Sequence, residues 1–356
     1  MSKTVLGICF SEVRNGNSAI LLNELLKPAN GKGYSVEQIN IGEMDLKQCI
    51  GCFKCNNATF SCILKDDLEK LLAKIDAADA IVVTAPSYIC AAPSQMKALL
   101  DRSAARALDQ IENGGKRRIG VALSVAGATH TWYSMQRALP SLLLQLYHCD
   151  VIAQKVYGGI ALKGEILNHP EVLAEAKQIG EQLVTALQGT MPELAPAAYS
   201  DGFLVCPVCK GDLFQLNVRG KITCGICGAT LRKTGLLHPH YVALDRGKFT
   251  KDGAQEHTRY VGGRIMQGMD LAEETARRLR LYEADGTILP AKSEQSQPQQ
   301  AGKVVWESEA DDAFCAVVPK AFQSFVRAAV EKKAAAQGHA VITKELFLAI
   351  KKASGN

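Results

Sequence analysis

Over the first 190 residues, short β-branched apolar runs alternate with longer stretches in which apolar residues return every three or four positions. The runs TVLGIC (4–9), SVEQIN (35–40), AIVVTA (80–85), RIGVALS (118–124) and VIAQKV (151–156) read as strands. Helices are predicted between them, over 17–30, 65–78, 93–112, 132–148 and 170–188. Strict alternation of strand and helix implies an α/β class: a doubly wound, five-stranded parallel sheet with helices on both faces. Ligands of such sheets bind outside the carboxyl ends of the strands, so the loops after strands one, three and four are the places to search.

The pattern changes near 191. MPELAPAAYSDG reads as a connector, a cysteine-rich stretch with little helical period continues to about 270, and DLAEETARRLRLYEA reads as a helix. KSEQSQPQQAGK is polar, low in complexity and reads as a flexible linker. From Trp306 two amphipathic helices are predicted about Gly338, with Thr343 capping the last and Glu345 in its first turn. The expected domains are 1–190 (sheet domain with a cysteine loop), 191–290 (connector, small metal-stapled module and helix), 291–305 (linker) and 306–356 (helical domain).

Composition narrows the function classes. With 47% hydrophobic and 22% charged residues the chain reads as globular, and no apolar run reaches the roughly 18 residues of a membrane span. The N-terminus has no signal-peptide pattern, so a cytoplasmic protein without membrane attachment is expected. A net charge of +5, from 41 basic and 36 acidic residues well mixed, is too weak to imply nucleic acid. Twelve cysteines are many for a reducing compartment, which directs clustered thiols towards metal or redox work. Eight fall in two groups; Cys9, Cys90, Cys149 and Cys315 stand singly and are expected to be buried.

After strand one, SEVRNGNSAILLNELL opens a helix with small polar residues. Backbone N–H groups from Gly16 onward, the side chains of Ser11, Asn17 and Ser18, and the charge of Arg14 would suit a phosphate, although an ordinary helix cap has the same composition. After strand three, APSYICAAPSQMKALLDR places Pro86, Ser87, Tyr88 and Ile89 where they can hold a flat ring. After strand four, LSVAGATH offers Ser124, Ala126 and Gly127 at the neighbouring mouth. Together with Lys97, Asp101 and Arg102 these loops make residues 1–190 resemble the flavodoxin-like NAD(P)H-dependent FMN reductases. The resemblance implies FMN, with its phosphate on residues 11–18 and its ring between the loops after strands three and four. Departures are Cys9-Phe10 in place of Gly-Ser, an arginine one place late with Val13 at the usual position, and no double glycine in the third loop.

Cys206, Cys209, Cys224 and Cys227 form C-x2-C-x14-C-x2-C, a set of four thiolates suited to Zn²⁺. The segment resembles a zinc ribbon; a rubredoxin-like iron site uses similar knuckles with a wider gap. Its expected role is structural. Cys49, Cys52, Cys55 and Cys62 form C-x2-C-x2-C-x6-C, whose three close cysteines and one distant one can wrap an iron–sulfur cube. With Asp66-Asp67 behind it, the segment resembles the motif of iron–sulfur flavoproteins, which implies a [4Fe-4S] cluster on the loop after strand two; free or redox-active thiols are the alternative.

Near the C-terminus, Pro319, Phe325-Val326-Arg327, Glu331, Gly338, Ile342-Thr343 and Glu345 resemble the small helical domain of light-independent protochlorophyllide reductase subunits. A docking or oligomerisation module is the plainer reading. The whole implies an FMN-dependent oxidoreductase without a catalytic side chain of its own, the flavin carrying the chemistry. Electrons would pass between NAD(P)H or a ferredoxin-like protein and an acceptor, in a homodimer or homotetramer. The contrasting class is a redox-sensing or assembly flavoprotein that does not turn over substrate.

Overall fold

Strand β1 (Thr4–Cys9) lies second in a parallel sheet of order β2-β1-β3-β4-β5, completed by β2 (Ser35–Asn40), β3 (Ala80–Pro86), β4 (Arg118–Val125) and β5 (Cys149–Tyr157). The computed structural model describes residues 3–55, 60–128, 130–189, 199–200, 203–216, 220–234, 240–270, 273–274, 277–278, 280, 304–317, 327, 330–331, 333–335 and 337–353. The order reverses between β1 and β3, which makes the mouth above these strands the topological switch point. Central β4 is buried at all eight positions whereas edge strand β2 is half exposed, as expected of a parallel sheet covered on both faces.

Two apolar layers hold the helices. On one face Leu71, Ile75, Met96, Leu99, Leu143 and Leu144, from α2 (Leu68–Ala77), α3 (Ser94–Glu112) and α4 (Ala138–Leu146), meet Ile8, Ile81 and Val83. On the other, α1 (Asn17–Gly31) and α5 (Pro170–Leu187) bring Leu22, Leu25, Ile179 and Leu183 onto Val5, Val82 and Val121. The helices α1 and α5 cross closely because residue 180 is glycine: a Cβ there would collide with the Leu25 carbonyl.

Helix boundaries depart from the expected ones where side chains compete with the backbone. α2 begins at Leu68, not 65, because the Asp66 carboxylate accepts from the Leu68 and Lys47 N–H groups and shapes a turn there. α4 begins at Ala138, not 132, because Pro140 is tolerated only in a first turn. Residues 130–132 form a single 3₁₀ turn instead.

Beyond a short hairpin of β6 (Tyr199–Ser200) and β7 (Phe203–Leu204), strands β8 (Phe214–Leu216), β9 (Ile222–Cys224), β10 (Thr230–Thr234) and β11 (His240–Ala243) form an antiparallel sheet. Its core of Val208, Ile226, Ala229 and four cysteines packs on Ala138 and Leu142 of α4. The module therefore belongs to the same compact unit as the large sheet, Met1–Met266. The low helical periodicity expected to 270 is corrected: Lys251–Asp270 is a helix, α6, which Gly253, Gly262, Gly263 and Gly268 disguise.

The second unit, Gln267–Asn356, has a parallel pair of β12 (Val305–Trp306) and β13 (Val341–Ile342) with α7 (Ser308–Val317) and α8 (Lys344–Ala353). Trp306, Phe314 and Phe347 meet with ring centroids 5.1–5.9 Å apart, and the Arg327 guanidinium stacks 4.6 Å from the indole. Thr343 caps α8 by accepting from Leu346 N–H at 3.2 Å. Residues 291–303 of the predicted linker, Pro319 and Phe325-Val326 lie outside the described residues, whereas Val305, assigned to the linker, belongs to β12.

Candidate functional site

The first turn of α1 presents three N–H groups, of Asn17, Ser18 and Ala19, ahead of the first intrahelical bond from Ile20 N–H to the Gly16 carbonyl. No side chain caps this end. Ser18 Oγ is buried without a hydrogen-bond partner, and buried hydroxyls are rarely left so without a ligand or water. Ser11 is buried and accepts from Val13 N–H at 3.2 Å. Arg14 is exposed, with Glu43 3.7 Å away.

Asn17 has another task than the one expected of its side chain. Its amide donates to the Leu162 carbonyl at 2.8 Å and accepts from Ile166 N–H at 3.2 Å, so it ties α1 to the loop after β5. A ligand at this end would meet its backbone N–H, not its side chain. The loop after β5, missed in the sequence, is braced further by Glu165, which accepts from Ala161 and Leu162 N–H at 2.7 Å each.

At the end of β3, Ser87 N–H donates to Val125 O at 2.8 Å while Ser87 Oγ is buried and unpartnered. Tyr88 and Ala91 then close a hairpin whose central residues, Ile89 and Cys90, have φ of 45° and 69°. Two successive non-glycine residues in the left-handed region, one β-branched, cost of order 1–3 kcal/mol each. That strain holds Tyr88 and Ile89 out at the mouth, 54% and 84% exposed. Pro86 lies at the rim of the same strand end.

The third loop is tightly seated. Ala126 N–H donates to Tyr157 O at 2.8 Å, and a Cβ on Gly127 would approach Ala161 Cβ to 2.9 Å. Ser124 Oγ accepts from Gln136 Nε2 at 3.0 Å, and the same amide reaches Pro86 O at 3.3 Å. Gln136 is wholly buried with its Oε1 unpartnered. It joins the walls after β3 and β4, and nothing in its surroundings, TWYSMQRALP, distinguished it in the sequence.

The next residue faces the small module. Arg137, also buried, pairs with Asp212 at 3.3 Å and exchanges backbone and side-chain bonds with Gln154. Burial raises the Asp212 carboxyl pKa against the opposing pull of Arg137.

In that module all four cysteines are buried and their sulfurs lie within 4.8 Å of one another. The Cys206–Cys227 and Cys209–Cys224 pairs stand 3.7 and 3.6 Å apart. An ion with sulfur ligands at about 2.3 Å in tetrahedral geometry sets them about 3.8 Å apart, so the donor set fits one four-coordinate metal. The Lys210 and Gly228 N–H groups fold back to Cys206 and Cys224 carbonyls at 2.9 Å, forming the two knuckles.

Cys49, Cys52, Cys55 and Cys62 share one loop after β2, with Cys49 and Cys52 exposed. Burial raises the Cys55 thiol pKa, and the nearby charge of Cys62, Cys49 and Cys52 adds to the effect. Among the described residues these sulfurs do not meet at single-ion spacing. A cube takes four thiolates, one on each iron, and this loop carries that donor set. Gly51 N–H donates to Cys49 Sγ at 3.4 Å, and Arg102 reaches Cys62 from α3.

Of the single cysteines, Cys9 and Cys149 are buried as expected; burial pushes the Cys149 thiol up to about 12 and the Cys9 thiol upward too. Cys90 is half-buried in the strained hairpin and Cys315 is exposed on α7, both contrary to expectation, because neither lies on the core face of its element.

Residues 4–158 match the family model for NADPH-dependent FMN reductase. The chain is 32% identical over 124 residues to an iron–sulfur flavoprotein of Methanosarcina thermophila, covering 35% of this chain and 63% of that one. It is 34% identical over 99 residues to one of Methanocaldococcus jannaschii, covering 28% and 51%. The matched regions thus span less than two thirds of these relatives. A solved flavone reductase superposes with a TM-score of 0.61 at 22% identity, covering 81% of this chain and 99% of the other, which extends the shared fold beyond the sheet domain. Among the described residues no helix is long and apolar enough to cross a membrane.

Proposed function

We propose that the chain is an FMN-dependent oxidoreductase of the iron–sulfur flavoprotein type, because residues 4–158 match the family model for NADPH-dependent FMN reductase. The observation that carries this reading is the pair of buried, unpartnered hydroxyls, Ser18 Oγ and Ser87 Oγ, at the carboxyl ends of β1 and β3 beside an uncapped helix start. Ser11, the Gly16–Ser18 turn and Arg14 would hold the phosphate, the helix N-terminus favouring its charge. Pro86, Ser87, Tyr88, Ile89, Ser124, Ala126 and Gly127 would wall the ring. Bound there, FMN supplies exchange between two-electron and one-electron carriers.

The chain's own part is to bind, orient and exclude water. Gln136 keeps two walls together, Asn17 anchors the phosphate turn to the loop after β5, and the strained hairpin holds an aromatic at the entrance. Cys49, Cys52, Cys55 and Cys62 would hold a [4Fe-4S] cluster, and Cys206, Cys209, Cys224 and Cys227 a structural Zn²⁺. NAD(P)H or a ferredoxin-like protein is the donor, and exposed thiols at Cys49 and Cys52 suit a reducing cytoplasm. Exposed Ile50 and Phe53 on the cysteine loop, with Ile89 and Trp132 on neighbouring loops, support a homo-oligomer that covers this face.

Anaerobic purification with flavin, iron, sulfide and zinc counted per chain tests the reading: one FMN, four irons and one zinc are expected. NAD(P)H oxidation or reduced-ferredoxin oxidation with quinone, flavin or ferric acceptors tests turnover. Retained flavin without turnover from any donor would favour the sensing or assembly class. Ser18→Ala should weaken FMN binding about 10- to 100-fold, the worth of a hydrogen bond to a charged group.

A further inference from the structure

Arg102 sits behind the cysteine loop, away from the loops that would hold a flavin. Its side chain is 1% exposed and faces an Asp66 side chain equally buried. All five of its N–H groups are committed. Nε and Nη2 both donate to Cys62 Sγ at 3.4 Å. Nη2 also donates to Asp66 Oδ1 at 2.9 Å, and Nη1 donates to Asp66 Oδ2 and to the Lys47 carbonyl at 2.9 Å. The fork thus grips a carboxylate end-on and a sulfur side-on, binding α3 to both ends of the cysteine loop.

We infer that Arg102 is a positioning residue for the cysteine-ligated cluster: its two N–H···S bonds fix Cys62 and raise the reduction potential of the cluster. This rests on the cluster reading above. Cys62 is the ligand separated from the other three by six residues, so its sulfur has the most freedom to be misplaced. Donors aimed at a ligand sulfur stabilise the extra negative charge of the reduced state, and second-shell bonds of this kind set both ligand geometry and potential. Asp66 orients the guanidinium from the opposite side and offsets part of its charge. A lysine would keep the charge but cannot reproduce a planar fork that holds carboxylate and sulfur together.

The experiment uses the full chain, anaerobically reconstituted, with Arg102→Lys and Asp66→Asn beside the wild type. FMN, zinc and iron are counted, and the cluster potential is read by potentiometric titration followed by electron paramagnetic resonance. Arg102→Lys is expected to shift the potential negative, and Asp66→Asn, which lifts the opposing charge, to shift it positive. A three-iron signal from a folded Arg102→Lys chain that keeps FMN and zinc also supports the inference, since one unfixed ligand loses one iron. An unchanged potential in Arg102→Lys, shifts of the same sign in both variants, or joint loss of FMN, zinc and iron in both would overturn it. Wild-type protein that takes up no iron fails the underlying reading as well, and that is seen before either variant is compared.

Discussion

Cys206, Cys209, Cys224 and Cys227 are buried to 1% exposure or less, with all four sulfurs within 4.8 Å of one another and two pairs 3.6 and 3.7 Å apart. Cys49 and Cys52 are exposed, Cys55 and Cys62 half-buried, and Asp66 and Arg102 fasten their loop to α3. The difference is one of dependence. The small module has few core residues besides its cysteines, so a metal held by them would share one equilibrium with its fold. The first loop hangs on a sheet domain with two large apolar layers, which folds whether or not the loop is loaded.

The strongest way to break the comparison is to remove a buried thiol. Cys209→Ser should abolish the bound metal and unfold the module, because structural zinc contributes about 10–16 kcal/mol in isolated fingers. Metal content and protease resistance of residues 203–250 report it. Next comes the joint between module and sheet. Arg137→Ala leaves Asp212 buried without its partner and should cost about 3–5 kcal/mol, read by denaturant unfolding of the metal-loaded chain.

Acid separates the two Arg–Asp pairs by sign. Burial tends to raise the Asp66 carboxyl, but the Arg102 bonds and two backbone N–H groups outweigh it and hold it below the ordinary carboxylate range. Its contribution is complete above the unfolded value near about 4 and is lost as pH falls through the lower folded value. Asp212 is raised, so lowering the pH through its folded value towards about 4 relieves the cost of its buried charge. Melting curves between about pH 3 and 6 should therefore lose acid sensitivity in Asp66→Asn and lose the shallow stabilisation in Asp212→Asn. The smallest effect is expected of Cys52→Ser. It should remove iron yet move the stability of the metal-free chain by less than about 0.5 kcal/mol, a melting shift under about 2 °C.

The sheet was legible because its signal is local: the short strand-like runs with period-breaking loops fall within a residue or two of all five strands, β1 to β5. α4 was read to start six residues too early because Pro140 restricts only its own surroundings, while the apolar period of WYSMQRALPSLLLQL runs past it. α6 was hidden by its glycines, whose poor helix propensity is overridden by tertiary packing such as that of buried Ala254. In the site, the phosphate turn and the knuckles were visible because their spacing is set by contiguous backbone. Gln136, the Asn17 bridge and the Arg102 fork were not, since each depends on partners 12 to 149 residues away.

Gln136 and Arg137 share a single peptide link, yet one reaches towards Pro86 and Ser124 and the other towards Asp212. The small module is consequently not a detachable cassette. A protein engineer who excised it, or exchanged it for a ribbon from another scaffold, would release Arg137 and with it the anchor of the neighbouring glutamine. Grafts that keep an acidic residue at the position of Asp212 should transplant cleanly, and those that lack one should loosen the wall between the third and fourth strands.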